Sequence, residues 1–254
     1  MKIFILAAGK GERLWPLTKD NPKPLVDVGG GVTLLDEQLK RLSECGVVDE
    51  VVVVTGYLGH KVDEKVAQLN IDGIELKTLY NPFFRQSNNL ASLWMAQHEM
   101  HEDFMVTNGD NLFNKGVFRN FSEACVENGI YLSVGAKSDF DVDDMKVTLR
   151  GECVTNVSKE IVPEKCHAES PGLCLVRGEA ARKTFRDAMR SELTSDYGLH
   201  SFWLTVFRRI AEEGTCVKPW FFDAQNRWRE VDIHPDLKQM KLFLSRMVQS
   251  EGQL

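Results

Sequence analysis

Two glycines and three charged side chains carry the chemistry most legible in this chain. An apolar segment, Ile3 to Ala8, runs straight into the turn Gly9-Lys10-Gly11-Glu12-Arg13. Gly9 and Gly11 have no Cβ, so they can take backbone angles closed to other residues and let main-chain N–H groups converge on an anion. Arg13 adds a planar, permanently charged fork suited to phosphate oxygens. Further on, Pro22-Lys23-Pro24 holds a lysine between two prolines that keep the chain extended, which places a second cation. A carboxylate, Asp110 in Asn108-Gly109-Asp110-Asn111, follows the apolar strand Phe104 to Thr107. Ligands in open α/β sheets gather at such strand ends, and the adjacent Gly109 is expected to let a bulky phosphate approach.

Spacing excludes two common phosphate-binding motifs. The dinucleotide fingerprint needs a third glycine where this chain has Leu14, and its acidic partner about 20 residues on falls among Val28, Gly29 and Gly30. The P-loop needs a GK[ST] ending that is absent here. The stretch LAAGKGERLWPLTKDNPKPLV instead closely resembles the GxGxRLxPLTxxxPKPL signature of the nucleotidyltransferases that make nucleoside-diphosphate sugars and related activated head groups.

That resemblance implies a Mg²⁺-dependent transfer of a nucleotide from a nucleoside triphosphate to a phosphorylated small-molecule acceptor, with release of pyrophosphate. It implies that Arg13 and Lys23 act catalytically on the phosphates, and that Leu6, Ala7, Ala8, Gly9 and Gly11 line the nucleotide. It also puts a magnesium ligand at Asp110, in contact with the nucleotide, and a second at Asp232, in a stretch similar to the family's WxxVDxxxDL. For Asp232 the alternative is a charge or cap at the start of the following helix. Asn81 and Asn89 border the family's base pocket. Amides carry both donors and acceptors, as base discrimination requires, although turn and cap chemistry accounts for them equally. Lys159 stands where the sugar enzymes have a lysine for the acceptor phosphate, without the usual following proline, and Lys146 is grouped with it.

Among subfamilies, Ser87-Asn88-Asn89-Leu90-Ala91-Ser92-Leu93 looks like the corresponding segment of bacterial choline-phosphate cytidylyltransferases. Asp143-Asp144-Met145-Lys146-Val147 and the VDxxxDL ending look more like inositol-1-phosphate cytidylyltransferases and sugar-1-phosphate enzymes. These resemblances favour CTP and a head-group, sugar or polyol phosphate, for cell-surface polysaccharide or lipid head-group synthesis such as a capsule pathway. Phosphoglutamine is a further acceptor. Another triphosphate with a sugar 1-phosphate, a glycosyltransferase, and a noncatalytic nucleotide-sensing module are the alternatives. A homodimer through the second half is compatible with the class.

The elements that must position these residues alternate along the chain. Thr33 to Glu44 carries Leu34, Leu35, Leu39 and Leu42 on a helical period, with Gly46 as C-cap. Val51 to Val54 reads as a strand buried on both faces, Val62 to Leu69 as a crossover helix and Leu76 to Tyr80 as the next strand. Helix Asn89 to His101 follows. Strands are predicted near Tyr131 to Gly135, Lys146 to Leu149 and Leu173 to Val176, helices near Glu179 to Glu192 and Leu199 to Glu213, and a last helix from about Pro235 with an apolar stripe of Leu237, Met240, Leu244 and Met247. The pattern predicts a single-domain, Rossmann-like three-layer α/β/α fold with a mixed, mostly parallel sheet over 1–254. Residues 1–115 form the nucleotide-binding half, and 116–254 the acceptor-binding half with its C-terminal helix.

Composition bounds the rest. A net charge of −6 over 254 residues argues against a nucleic-acid partner. No apolar run approaches the roughly 20 residues a membrane helix needs, and the apolar start lacks the flanks of a signal peptide. The six cysteines show no metal-like spacing and are expected as reduced thiols in a cytoplasmic protein. His98 and His101, at i and i+3, read as a solvated pair. Of the aromatics Trp203, Trp220, Phe221, Phe222 and Trp228, core packing is the expected use of most.

Overall fold

The computed structural model describes residues 1–222 and 228–251; the side chains of 243 and 245–251, Met247 among them, lie outside that description. In chain order the strands and helices are β1 (Lys2–Leu6), β2 (Asp27–Gly29), β3 (Val32–Thr33), α1 (Leu34–Cys45), β4 (Glu50–Thr55), α2 (Gly59–Gln68) and β5 (Glu75–Tyr80). Then come α3 (Asn89–Met95), β6 (Phe104–Asn108), β7 (Asn111–Phe113), α4 (Val117–Ala124), β8 (Gly129–Val134), β9 (Lys146–Arg150) and β10 (Cys153–Ser158). The chain continues through β11 (Ala168–Glu169), β12 (Leu173–Arg177), α5 (Glu179–Leu193), α6 (Val206–Glu212), β13 (Val217–Phe221), β14 (Trp228–Glu230) and α7 (His234–Glu251).

One ten-stranded sheet, ordered β11-β9-β10-β13-β8-β12-β6-β1-β4-β5, runs through both halves of the chain. Strands β5, β4, β1, β6, β8, β13 and β9 point one way, and β12, β10 and β11 are reversed. The sheet is thus mixed and mostly parallel.

Its central strands read as unbroken apolar runs because both faces are covered. Phe4, Leu6, Val52, Val54, Phe104 and Val106 pack on one face against Leu90 and Leu93 of α3, Phe185 and Met189 of α5, and Phe207 and Ile210 of α6. Ile3, Ile5, Val51, Val53 and Met105 face the other way, onto Leu35, Leu39 and Leu42 of α1, Val62 and Val66 of α2, and Phe118 and Phe121 of α4. That alternation gives three layers. A smaller cluster of Leu14, Val26, Val28, Leu34, Leu112, Val231, Leu237 and Met240 ties the glycine-rich segment to α7.

Helix α1 starts where its sequence says it should. Thr33 and Asp36 exchange hydrogen bonds in a capping box, and Gly46 closes the helix in the left-handed conformation at φ 68°. Two expected helices are shorter than predicted. Helix α3 ends at Met95, with a 3₁₀ turn at Gln97–Glu99 after it. The segment from Leu199 to Glu213 breaks into 3₁₀ turns before α6, with Phe202 extended. The break has a donor-acceptor cause. Asn88 N donates to Leu199 O and Trp203 N donates to Asn89 Oδ1, so backbone groups a helix would use internally are committed to α3 and its cap.

The all-thiol expectation is corrected: Cys153 and Cys216 form a disulfide, while Cys45, Cys125, Cys166 and Cys174 are free. They are neighbours because β10 and β13 pair antiparallel with Val154 opposite Val217. Both strands escape the sequence reading, which hides the pairing. Among the described residues no helix is long and apolar enough to cross a membrane.

Candidate functional site

The carboxyl ends of β1 and β6 open into a cavity of about 580 Å³. Leu6, Ala7, Ala8, Gly9 and Gly11 form one wall, and Arg13, Lys23, Asp110 and Asp232 reach its floor. Gly11 sits at φ 63°, and a Cβ there would come within 3.2 Å of the Lys23 side chain and 3.3 Å of Thr18 Cγ2. Thr18 Oγ1 donates to Gly11 O at 2.6 Å, which fixes the turn. A Cβ on Gly9 would meet nothing within 4 Å, so this glycine leaves the cavity wall open.

Gly109 lines the same cavity, and a Cβ there would lie 2.7 Å from Leu6 O and 3.0 Å from Ala7 Cβ, so its bareness lets the ends of β1 and β6 close together.

The two aspartates meet because of a short ribbon. Strands β7 and β14 pair antiparallel with Asn111 opposite Glu230. That register puts Asp110, just before β7, beside the residues that follow β14, and Val231 N donates to Asp110 O at 2.9 Å. Asp232 does not cap the last helix. Asp236 does so, accepting from Asp232 N at 3.1 Å and Ile233 N at 2.8 Å.

Lys23 Nζ lies between the carboxylates, 2.9 Å from Asp110 Oδ2 and 3.1 Å from Asp232 Oδ1. Arg13 donates to Asp232 Oδ2. Burial works against the Lys23 charge, but Asp110 and Asp232 outweigh it and hold its pKa above the usual lysine value.

Glu230 is the functional candidate that sequence reasoning missed. Its carboxylate joins Asp110 and Asp232 in a group whose oxygens lie within 4.8 Å of one another. Although the side chain is exposed toward the cavity, crowding there by protein, then the like charges of Asp110 and Asp232, pushes its carboxyl up to about 8. No period marked it in the sequence, since β14 is only three residues long and Glu230 meets Asp110 through the pairing of β14 with β7.

These three carboxylates fit a hard divalent cation, which prefers oxygen ligands. Asp110 Oδ1 is buried without a hydrogen-bond partner, an acceptor such an ion would satisfy.

The remaining expected residues are dispersed. Asn81 is 1% exposed and donates to Ser92 Oγ at 2.9 Å beneath the cavity, outside its lining. Asn89 lines the cavity, with Oδ1 engaged by Trp203 N at 2.8 Å. Ser87, Asn88 and Phe84 line the same end. Asn108, given no role of its own in the sequence, accepts from Trp203 Nε1 at 2.8 Å and so locks the fully buried indole to the end of β6.

Lys159 reaches the opposite end of the cavity, 3.2 Å from Asp143 Oδ1 and 5.2 Å from the Phe202 ring centre. The hydrogen bond from Lys159 and, more weakly, the Arg13 charge hold the Asp143 carboxyl below its usual range. Lys146 is buried outside the lining; its ammonium donates to Lys159 O at 2.9 Å and supports that residue from behind. Trp228 lies across Gly135, where a Cβ would come within 2.5 Å of the indole, and lines the cavity. Trp220 and Phe222 pack in the core as expected, whereas Phe221 is 48% exposed. His98 lies on the surface near Glu99.

Comparison with known proteins identifies the family. A family described as "Nucleotidyl transferase" matches residues 2–138. A choline-phosphate cytidylyltransferase of Streptococcus pneumoniae is 32% identical over 120 residues, 47% of this chain and 49% of that one, so the chain spans about half the length of this relative. A UTP--glucose-1-phosphate uridylyltransferase of Haloferax volcanii is 32% identical over 182 residues, 69% of each chain. The solved CTP:phosphocholine cytidylyltransferase from Streptococcus pneumoniae shares the fold at a TM-score of 0.75 and 24% identity, over 96% of this chain and 98% of that one. The inositol-1-phosphate CTP transferase from T. maritima does so at 0.73 and 22%, over 94% of both. With the glycine-rich cradle, its two cations and the strand-end carboxylates on one cavity, the chain belongs to the nucleotidyl transferase family.

Proposed function

We propose that the chain is a cytidylyltransferase: an oxygen of a phosphorylated small-molecule acceptor attacks the α-phosphorus of CTP, the new P–O bond forms as the bond to the β-phosphate breaks, and pyrophosphate leaves. The convergence of Arg13, Lys23, Asp110 and Asp232 on one cavity floor carries this reading. The acceptor phosphate is already an anionic nucleophile, so no protein nucleophile is required. The task is to bring two anions together, and holding them in near-attack geometry supplies up to about 7–11 kcal/mol.

Backbone amides of the Gly9 to Arg13 turn and the Arg13 guanidinium bind the outgoing β and γ phosphates. Lys23 reaches toward the reacting phosphates, and Lys159, from the far wall, holds the acceptor phosphate. Asp110 and Asp232, with Glu230 beside them, would hold Mg²⁺, which when bound supplies charge neutralisation at the phosphates. Asn88 and Asn89 border the base, with Phe84 as an apolar wall.

CTP is favoured by the likeness to the choline-phosphate cytidylyltransferase in sequence and fold. The second reading, a uridylyl or other nucleotidyl transfer to a sugar 1-phosphate, is favoured by the longer match to the Haloferax enzyme and by an N-acetylmuramate alpha-1-phosphate uridylyltransferase of Neisseria meningitidis, 39% identical over 116 residues. We place the reaction in the cytoplasm, where nucleoside triphosphates are supplied. Pyrophosphate release measured separately with CTP and with UTP for one phosphomonoester separates the two readings: faster turnover with UTP rejects the first.

A further inference from the structure

The cations that would hold the nucleotide already hold the carboxylates that would hold the metal. Lys23 spans Asp110 and Asp232, and Arg13 binds the second oxygen of Asp232. The Lys23 side chain is 12% exposed and its partners 24% and 25%, so these pairs are sheltered from the solvent that weakens surface ion pairs. Without them, Asp110, Glu230 and Asp232 would face one another within 4.8 Å with nothing between. Drawn toward a triphosphate, Lys23 and Arg13 would leave these carboxylates short of positive charge.

We propose that Lys23 and Arg13 are internal counter-ions of the Asp110–Asp232 site, so that nucleotide and divalent cation bind this cleft with positive coupling: the triphosphate draws the two side chains off the carboxylates and the cation replaces them there. This rests on the nucleotidyl-transfer reading for the identity of the anion. Coupling of this kind is reciprocal, so whatever removes the two side chains from the carboxylates raises affinity for the metal. The nucleotide-free protein is therefore a poor binder of divalent cations despite its three carboxylates, and loss of Lys23 makes it a better one. Lys10 provides the contrast: it belongs to the same turn, but its ammonium pairs with Glu12 at 3.1 Å.

The test is Mn²⁺ titration of nucleotide-free protein, followed by the electron paramagnetic resonance signal of free Mn²⁺, for wild type, Lys23→Met, Arg13→Gln and Lys10→Met. The expected result is affinity higher by about tenfold or more for Lys23→Met and severalfold for Arg13→Gln, within the usual span of coupling between sites, and a change of less than about twofold for Lys10→Met. Circular dichroism and a thermal melt establish that each variant is folded. If Lys23→Met does not fold, the half-exposed Arg13 decides through Arg13→Gln. Equal Mn²⁺ affinity in wild type and in the folded Lys23 and Arg13 variants overturns the proposal, as does an equal gain from Lys10→Met, which would reflect only the overall field of the cleft. The titration involves no turnover, so its outcome stands apart from whether the right triphosphate and acceptor have been found.

Discussion

At the residue scale the site is defined by what each side chain is spared from doing elsewhere. Arg13 is half exposed, with its contacts confined to carboxylates of the cavity, so it contributes little to the core. Arg13→Ala is expected to lower kcat/KM by about 10²–10³, the usual effect of losing one donor aimed at developing charge, with the melting temperature nearly unchanged. Wild-type kinetics in that variant would remove Arg13 from the mechanism. Gly109 makes the opposite case, a residue whose absent side chain is needed for packing. Gly109→Ala drives a Cβ onto Leu6 O at 2.7 Å, and because Leu6 and Ala7 form the cavity wall, nucleotide affinity and stability should fall together. Calorimetric titration with CTP beside a thermal melt checks this; full affinity in a destabilised protein would separate the two effects.

At the element scale, short connections do the positioning. The β7–β14 ribbon brings Asp110 and Asp232 together from the two halves of the chain. Helix α1, held by Thr33 and Asp36, seats Gln38, whose amide donates to Asn111 O at 2.8 Å under that ribbon. For Asp36, burial favours the neutral acid, but hydrogen bonds from Lys65 and Thr33 outweigh it and lower the carboxyl below its usual value. A folded-state value below the unfolded one gives a contribution that is complete above about pH 4 and lost as pH falls through the folded value. Asp36→Asn should therefore destabilise the protein at neutral pH by about 1 kcal/mol, as for loss of a cap, and flatten the acid limb of its stability. Urea unfolding at several pH values tests this, and an acid limb as steep as in wild type would contradict it.

For the molecule as a whole, the first half of the fold was legible in sequence and much of the second was not. Strand β1 is fully buried, β4 and β6 are buried except at one end residue, and all three appear as largely apolar runs, while α1 carries its own caps. Strands β10 and β13 are only partly buried, with interrupted patterns, and β7, β11 and β14 are too short to show a period. The residues Arg13, Lys23 and Asp110 stood out because they fall in short contiguous motifs that carry the family resemblance. Glu230, Asn108 and the engagement of Asn89 by Trp203 depend on contacts between segments far apart in sequence.

The Cys153–Cys216 disulfide closes a long loop across the second half, with a sequence separation of 63. In the chain-entropy account such a link is worth about 4 kcal/mol. Reduction should lower the melting temperature, and denatured, unreduced protein should react with four equivalents of thiol reagent, matching Cys45, Cys125, Cys166 and Cys174. Six equivalents would show the pair to be reduced.

The central claim, nucleotidyl transfer from CTP, is tested most directly by pyrophosphate release with Mg²⁺, using CTP, UTP, GTP, ATP and dTTP against phosphocholine, sugar 1-phosphates, polyol phosphates, aminoethylphosphonate and phosphoglutamine. The account predicts release that needs both a phosphorylated acceptor and CTP and that is lost in Asp110→Ala. Tight nucleotide binding with no release for any pair, or release that persists in Asp110→Ala, would contradict it.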